Sequence, residues 1–359
     1  MRLVFVITGL GLGGAEKQVC ILADKLSTLG HEVMVISLTK DVYFRPDNRD
    51  VKIKTLNMEK NISSFLKTII ILRKIILDFE PDIVHAHMFH ANIMVRCLSA
   101  ITKTRAKIIC TAHNKNEGGM VRKLLYRYTD HFNDVTTNVS QEALDQFIKD
   151  KAFKERKSVA VYNGIDTDFF VFSDECRNNL RRMLGISNED VLLLAIGRLT
   201  EAKDYPNLIK AFDKLPENFK LVIVGEGDCR NSITDLIDSR NLSTRVIMVG
   251  AKNNVKDYYS ACDIFVLSSA WEGFGLVVAE AMSCERIVVG TDSGGVREVI
   301  GDQRFIVPVK NSTVLANKII ELSRLGNNEK NDICVRNRLH IIEKFSLANT
   351  IKTWLQIYR

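Results

Sequence analysis

The sequence predicts an α/β protein of two domains, each a parallel sheet with helices on its faces, and three observations carry this reading. Short apolar runs such as LVFVI at 3–7 and VLLLAI at 191–196 alternate with longer amphipathic stretches of helical period, the pattern of β-α-β units. The alternation restarts after a polar stretch at about 167–190, read as a linker, so the second half repeats the plan of the first. A chain of 359 residues is also longer than one core ordinarily serves. The expected division is 1–168 and 169–340, facing each other across a cleft, with 341–359 as a C-terminal helix packing back across the first domain.

Hydrophobic residues make up 46% of the chain and charged residues 26%, the balance of a water-soluble globular protein. No run approaches the roughly 18 apolar residues of a membrane span, and MRLVFVITGLGLGG lacks the layout of a secretory signal. A cytoplasmic location is the expectation. The eight cysteines are scattered without a Cys-x-x-Cys pair, which argues for reduced core residues and against a zinc ribbon or disulfide framework. Net charge is +7 and unevenly spread: residues 1–165 carry 25 Lys and Arg against 17 Asp and Glu, hence +8, and the remainder 25 against 26, hence −1. A basic first half suits an anionic partner such as the inner face of a membrane; no recognition motif supports a nucleic acid.

In the first half, RLVFVITGL reads as a strand, GLGGAEKQVCILADKLSTLG as a glycine loop feeding a helix, and EVMVISL as the next strand. Gly9, Gly11 and Gly14 satisfy the Gly-x-Gly-x-x-Gly pattern of dinucleotide sites, but the second strand ends in Leu38, Thr39 and Lys40 without the acidic residue that would hold a ribose. Residues 61–80 form a helix with Phe65, Leu66, Ile69, Leu72, Ile76 and Leu77 on one stripe, packed on the sheet or lying on a membrane surface. The strand DIVHAH brings His85 and His87 close to His90, yet no carboxylate or cysteine completes a metal set. KIICTAHN delivers His113 and Asn114 to a strand's carboxyl end, where open parallel sheets bind ligands. In MVRKLLYRY, basic residues interleave with tyrosines, which suits a lipid headgroup interface or a solvated face. SVAVYNGID closes the half; Asp166 and Asp168 form an Asp-x-Asp that reads as an interdomain turn.

In the second half, Arg198 and Lys203 follow the strand DVLLLAI, close enough for both cations to reach one diphosphate. KLVIVGEGD places Gly225 at the next strand end. The strand ACDIFVLSS then runs into WEGFGLVVAEAM, where Gly273 and Gly275 turn the chain and an apolar helix begins. Its first-turn N–H groups and positive dipole end can hold a phosphate. Glu272 before the turn and Glu280 inside the helix can grip the two ends of an elongated polar ligand, the shape of a sugar nucleotide.

Taken in order, Gly13-Gly14-Ala15-Glu16, TAHN at 111–114, NGID at 163–166, GRL at 197–199 with Lys203, GEG at 225–227 and the glutamates 272 and 280 resemble the retaining glycosyltransferases of the GT-B fold, family 4. VHAHMFHAN and TAHNKNEGG are similar to stretches of bacterial members that add N-acetylgalactosamine to a sugar on undecaprenyl diphosphate in O-antigen or related glycan assembly. The resemblance implies a UDP-sugar donor, a lipid-linked sugar acceptor such as N-acetylgalactosaminyl-diphospho-undecaprenol, an α-1,3 linkage, and a peripheral position on the inner membrane face. It also implies roles. Arg198 and Lys203 would neutralise the departing diphosphate with the amides of Phe274, Gly275 and Leu276. Glu280 would bind the ribose, Glu272 and His113 the donor sugar, and Gly14 would lie near the diphosphate and acceptor. Asn163, Gly197 and Gly225 would complete the donor site. No metal or other cofactor is then required. The competing readings are a transferase with another hexose donor or acceptor, a dinucleotide-dependent oxidoreductase built on Gly9, Gly11 and Gly14, and a non-catalytic sugar-nucleotide sensor.

Overall fold

The computed structural model describes residues 1–359 except Asn116 and Asn253; Asn116 of the TAHNKNEGG stretch therefore lies outside the described residues. The chain forms two compact units, Met1–Gly164 with Thr350–Arg359, and Ile165–Asn349.

In the first unit the order is β1 (Arg2–Ile7), α1 (Gly14–Thr28), β2 (Glu32–Ser37), β3 (Lys52–Thr55), α2 (Ile62–Phe79), β4 (Ile83–His87), α3 (Phe89–Ile101), β5 (Lys107–Ala112), α4 (Met120–Thr129), β6 (Val135–Asn138), α5 (Gln141–Lys149) and β7 (Ser158–Ala160). All seven strands are parallel, in the order β3-β2-β1-β4-β5-β6-β7. Strands β1, β4 and β5 are buried almost throughout; β1 therefore reads as an apolar run, while β4 carries His85 and His87 among its buried positions.

The expected stripe on α2 is narrower than the sequence implied. Ile69, Leu72, Ile76 and Phe79 are buried, but Leu66 and Leu77 are exposed with Ile62, Ile70 and Ile71. At 100° per residue, Leu66, Ile70 and Leu77 fall on a second stripe turned away from the core. Arg96 of α3 is fully buried and donates to Asp130 Oδ1 at 3.3 Å, the Tyr126 carbonyl at 3.1 Å and Thr136 Oγ1 at 3.2 Å.

The second unit runs α6 (Asp174–Met183), β8 (Val191–Ile196), α7 (Tyr205–Phe212), β9 (Phe219–Val224), α8 (Arg230–Ser239), β10 (Val246–Gly250), α9 (Lys256–Ala261), β11 (Ile264–Leu267), α10 (Leu276–Ser283), β12 (Ile287–Thr291), α11 (Val296–Ile300), β13 (Ile306–Val307), α12 (Ser312–Ser323) and α13 (Asn327–Phe345). Its six parallel strands are ordered β10-β9-β8-β11-β12-β13. The stretch expected to be a linker is built into this unit instead. Helix α6 packs on α9, its Arg177 and Arg181 ion-pairing with Asp263 and donating to the Ala261 carbonyl at 2.8 and 3.1 Å. The chain returns to the first unit along α14 (Leu347–Tyr358). Each sheet reverses its winding once, between β1 and β4 and between β8 and β11, and ligands of open α/β sheets bind at such points.

Candidate functional site

Nine of the residues singled out in the sequence lie in the second unit, around its point of reversal. The loop after β8 carries Gly197, Arg198 and Lys203; the loop after β11 carries Glu272, Phe274 and Gly275 and leads into α10 at Leu276. Lys203 ion-pairs with Glu272, and Ser269 Oγ donates to the same carboxylate at 2.7 Å. Backbone bonds bind the two loops together: Ala270 N reaches the Ala202 carbonyl at 2.8 Å, and Ser268 Oγ reaches the Lys203 carbonyl at 2.8 Å. Gly225 is required by packing, because a Cβ there would stand 2.0 Å from the Gly197 carbonyl oxygen. Arg198 is exposed, and its side chain has no hydrogen-bond or ion-pair partner among the described residues.

Gly275 caps α10 with φ +90°, a left-handed conformation that favours glycine, and no side chain caps the helix's first amides. Phe274 is buried edge-on against Phe345. Four residues into the helix, Glu280 is buried and accepts from Tyr259 OH at 2.7 Å. Burial, reinforced by the Glu280 charge, pushes the Tyr259 phenol well above its ordinary range, so it stays a donor. Three facts thus converge on one region: two cations, an uncapped helix N-terminus and two carboxylates. That arrangement suits a diphosphate flanked by hydroxyl-bearing groups.

The other three predicted residues, Gly14, His113 and Asn163, lie in the first unit. Gly14 opens α1. His113 follows β5, its backbone N–H donating to Glu117 Oε1 at 3.0 Å and its Nε2 meeting His87 Nδ1 at 3.0 Å. His87, His113 and Asn163 share a small pocket with Gln18, Tyr162 and Trp354. His85 bonds Tyr358 OH at 2.9 Å and Thr111 Oγ1 at 2.7 Å. Among the described residues, no group of three or more His, Cys, Asp or Glu is arranged to hold a metal ion. Asp166 Oδ1 accepts from the backbone of Asp168 and Phe169 at 3.2 and 2.9 Å, the turn expected of that pair.

Sequence reasoning missed three partners: Tyr259, Ser269 and the bond from His87 to His113. The last had a signal, because parallel pairing of DIVHAH with KIICTAHN sets His87 beside Thr111, one strand over from His113.

Burial, with the charge of neighbouring imidazoles, holds His85 and His87 well below the ordinary histidine value of 6.5, and burial holds His113 at about 4. These rings are neutral when folded but take protons below 6.5 when unfolded. Their contribution to stability is therefore complete above pH 6.5 and declines as pH falls below it, that of His113 being lost by about pH 4. Going from pH 7.5 to 5.5 is expected to cost roughly 1.4 kcal/mol through His113, whose unfolded imidazole passes from mostly neutral to mostly protonated over that range, with His85 and His87 acting in the same direction. Urea titrations at the two pH values check this; an unchanged midpoint would contradict neutral burial.

Comparison with known proteins places these features in a family. The model for Glycosyltransferase Family 4 matches residues 12–169, and the model for Glycosyl transferases group 1 matches residues 177–338. The N-acetylgalactosamine-N,N'-diacetylbacillosaminyl-diphospho-undecaprenol 4-alpha-N-acetylgalactosaminyltransferase of Campylobacter jejuni is 27% identical over 99% of both chains. The N-acetyl-alpha-D-glucosaminyl L-malate synthase of Bacillus anthracis is 29% identical over 77% of this chain and 74% of its own. Among solved structures, Anabaena HepE in complex with UDP superimposes with a TM-score of 0.86, covering 99% of each chain at 20% identity. Matched in both halves and in its two parallel sheets, the chain belongs to the family 4 glycosyltransferases of the GT-B fold.

Proposed function

We propose that the protein transfers N-acetylgalactosamine, with retention, from UDP-N-acetylgalactosamine to a sugar on undecaprenyl diphosphate. The observation that carries this is the end-to-end match to the Campylobacter enzyme, whose name specifies that sugar, an alpha linkage and a diphospho-undecaprenol acceptor. UDP-N-acetylgalactosamine carries its sugar in the alpha sense, so an alpha product is a retained one. Membership of the family sets aside the oxidoreductase reading of Gly9, Gly11 and Gly14.

In this reading Arg198, Lys203 and the first amides of α10 neutralise the diphosphate as it leaves, so transfer proceeds in the presence of a chelator. Glu280, aimed by Tyr259, takes the ribose hydroxyls. Glu272 serves the donor sugar while balancing Lys203, and His113 keeps the donor-sugar role that its motif implies. The test is a mass-spectrometric transfer assay with a panel of UDP-sugars, a synthetic N-acetylgalactosaminyl-diphospho-lipid and EDTA. A product heavier by one N-acetylhexosamine supports the proposal, and linkage analysis decides between the α-1,3 bond expected from the sequence and the 4-alpha bond in the relative's name. Absence of product with every N-acetylhexosamine donor, from protein that binds UDP, overturns it.

A lipid-linked acceptor calls for contact with the bilayer, and we place that contact on α2 and α4. Ile62, Leu66, Ile70, Ile71 and Leu77 of α2 are exposed, as are Met120, Val121, Leu124, Leu125 and Tyr128 of α4, both helices packing against α3. Exposed Lys67, Arg73, Lys74 and Arg127 accompany them, a composition suited to anionic headgroups. Among the described residues no helix is long and apolar enough to cross a membrane. Co-sedimentation with phosphatidylglycerol-containing vesicles is expected to weaken about tenfold in an Ile70→Glu, Leu124→Glu variant and to fall with salt. Equal binding to purely zwitterionic vesicles would rule out the electrostatic part.

A further inference from the structure

His87 and His113 stand at the ends of adjacent strands with Nδ1 of one 3.0 Å from Nε2 of the other. Both rings are neutral, so the bond contains one proton, and two arrangements are possible. If His113 donates from Nε2, His87 accepts at Nδ1 and must keep its own proton on Nε2. That Nε2 is buried without a hydrogen-bond partner among the described residues. The alternative puts the His87 proton on Nδ1, donated to His113, and leaves only a lone pair unpaired. Buried donors without partners are rarer than under-satisfied acceptors, because native folds arrange to satisfy the N–H first.

We propose that His87 is a positioning residue that locks His113 in the Nδ1–H tautomer, so that His113 meets its substrate as a hydrogen-bond donor. The Nε2 lone pair is already engaged by His87, which removes His113 from consideration as a proton acceptor at that atom. Its Nδ1 makes no hydrogen bond among the described residues and remains to be satisfied by an acceptor oxygen, a sugar hydroxyl or an N-acetyl carbonyl. The surroundings keep His87 from turning away. Its ring lies 4.0 Å from that of His85 and 5.7 Å from that of Phe5, centroid to centroid, and His85 is itself tied to Tyr358 and Thr111. The role in transfer rests on His113 touching the donor sugar; the tautomer does not.

The test uses the full chain labelled with ¹⁵N-histidine and long-range ¹H–¹⁵N correlation spectra at pH 7.5, the His113 signals identified by their loss in His113→Asn. Protonated Nδ1 with unprotonated Nε2 is the expected pattern, and the reverse overturns the proposal even if the protein catalyses no transfer. His87→Asn retains a donor near the Nδ1 position and is expected to keep both the His113 pattern and transfer within threefold. His87→Leu removes the donor and is expected to move His113 towards the Nε2–H form, with kcat about tenfold lower and KM for the UDP-sugar little changed. A folded His87→Leu protein whose His113 signals do not move would also overturn the proposal. Wild-type spectra and His87→Asn keep the test decisive if His87→Leu does not fold.

Discussion

Replacing Lys203 by alanine is expected to lower kcat/KM for sugar transfer by about 10²–10³-fold, the range measured when a single preorganised donor to a developing negative charge is removed. Of the two cations, Lys203 is the better positioned. Its backbone is tied to the loop after β11, and its ammonium is paired with Glu272 in a setting where the two side chains are 20% and 12% exposed. The pair gives the lysine a fixed position before substrate arrives, whereas Arg198 is exposed and has no side-chain partner among the described residues. Arg198→Ala is therefore expected to raise KM more than it lowers kcat, and, if both cations serve one diphosphate as proposed, the double variant is expected to lose less than the product of the two losses. Lys203→Arg keeps the charge and is expected to recover part of the rate. Steady-state kinetics with thermal-shift measurements of UDP binding separate these cases; Lys203→Ala at wild-type kcat/KM would remove the clamp from the mechanism.

Asp130→Ala is expected to destabilise the first unit by about 3–5 kcal/mol, since it leaves a buried guanidinium without its countercharge. The Arg96 and Asp130 side chains are 0% and 1% exposed, and Lys157 approaches the same carboxylate at 3.4 Å. Replacing both members, as in Arg96→Met with Asp130→Leu, is expected to cost less than Asp130→Ala alone. The two tryptophans make this measurable by unit. Trp354 is buried in the first and Trp271 exposed in the second, so in a Trp271→Phe background Trp354 fluorescence reports the first unit in a urea titration of the full chain. An unshifted Trp354 transition would mean that this pair carries no weight in the fold.

The sequence revealed those elements whose burial is continuous. β1, β8 and β11 appear as apolar runs, and β5 as a largely apolar one, because both faces of each are covered. β3 was missed because Lys52-Ile53-Lys54-Thr55 is an edge strand, mostly exposed, with no run to detect. Helix α6 reads as a linker because arginines do much of its packing: Arg181 is 3% exposed, its charge answered by Asp263 and the Ala261 carbonyl, both distant in sequence. The same limit applies to the site. Glycines, cations and glutamates could be picked out singly from the strand-end loops. Their partners could not, since Lys203 and Glu272 are 69 residues apart and Tyr259 reaches Glu280 from an unremarked helix. Leu66 and Leu77 show the converse error, apolar residues assigned to a core that turns away from them.

The return of α14 to the first unit has a consequence for synthesis. His85 waits 273 residues for Tyr358, its hydroxyl partner, and Trp354 packs against the same imidazole at a tilt, with centroids 4.4 Å apart. At ribosomal rates that interval is on the order of tens of seconds. During it the whole second unit is translated while His85 of β4 lacks the partners that α14 supplies. Nascent chains arrested before residue 350 should therefore display a first unit that is open to protease at β4 and β5, with protection there appearing only once α14 has been made.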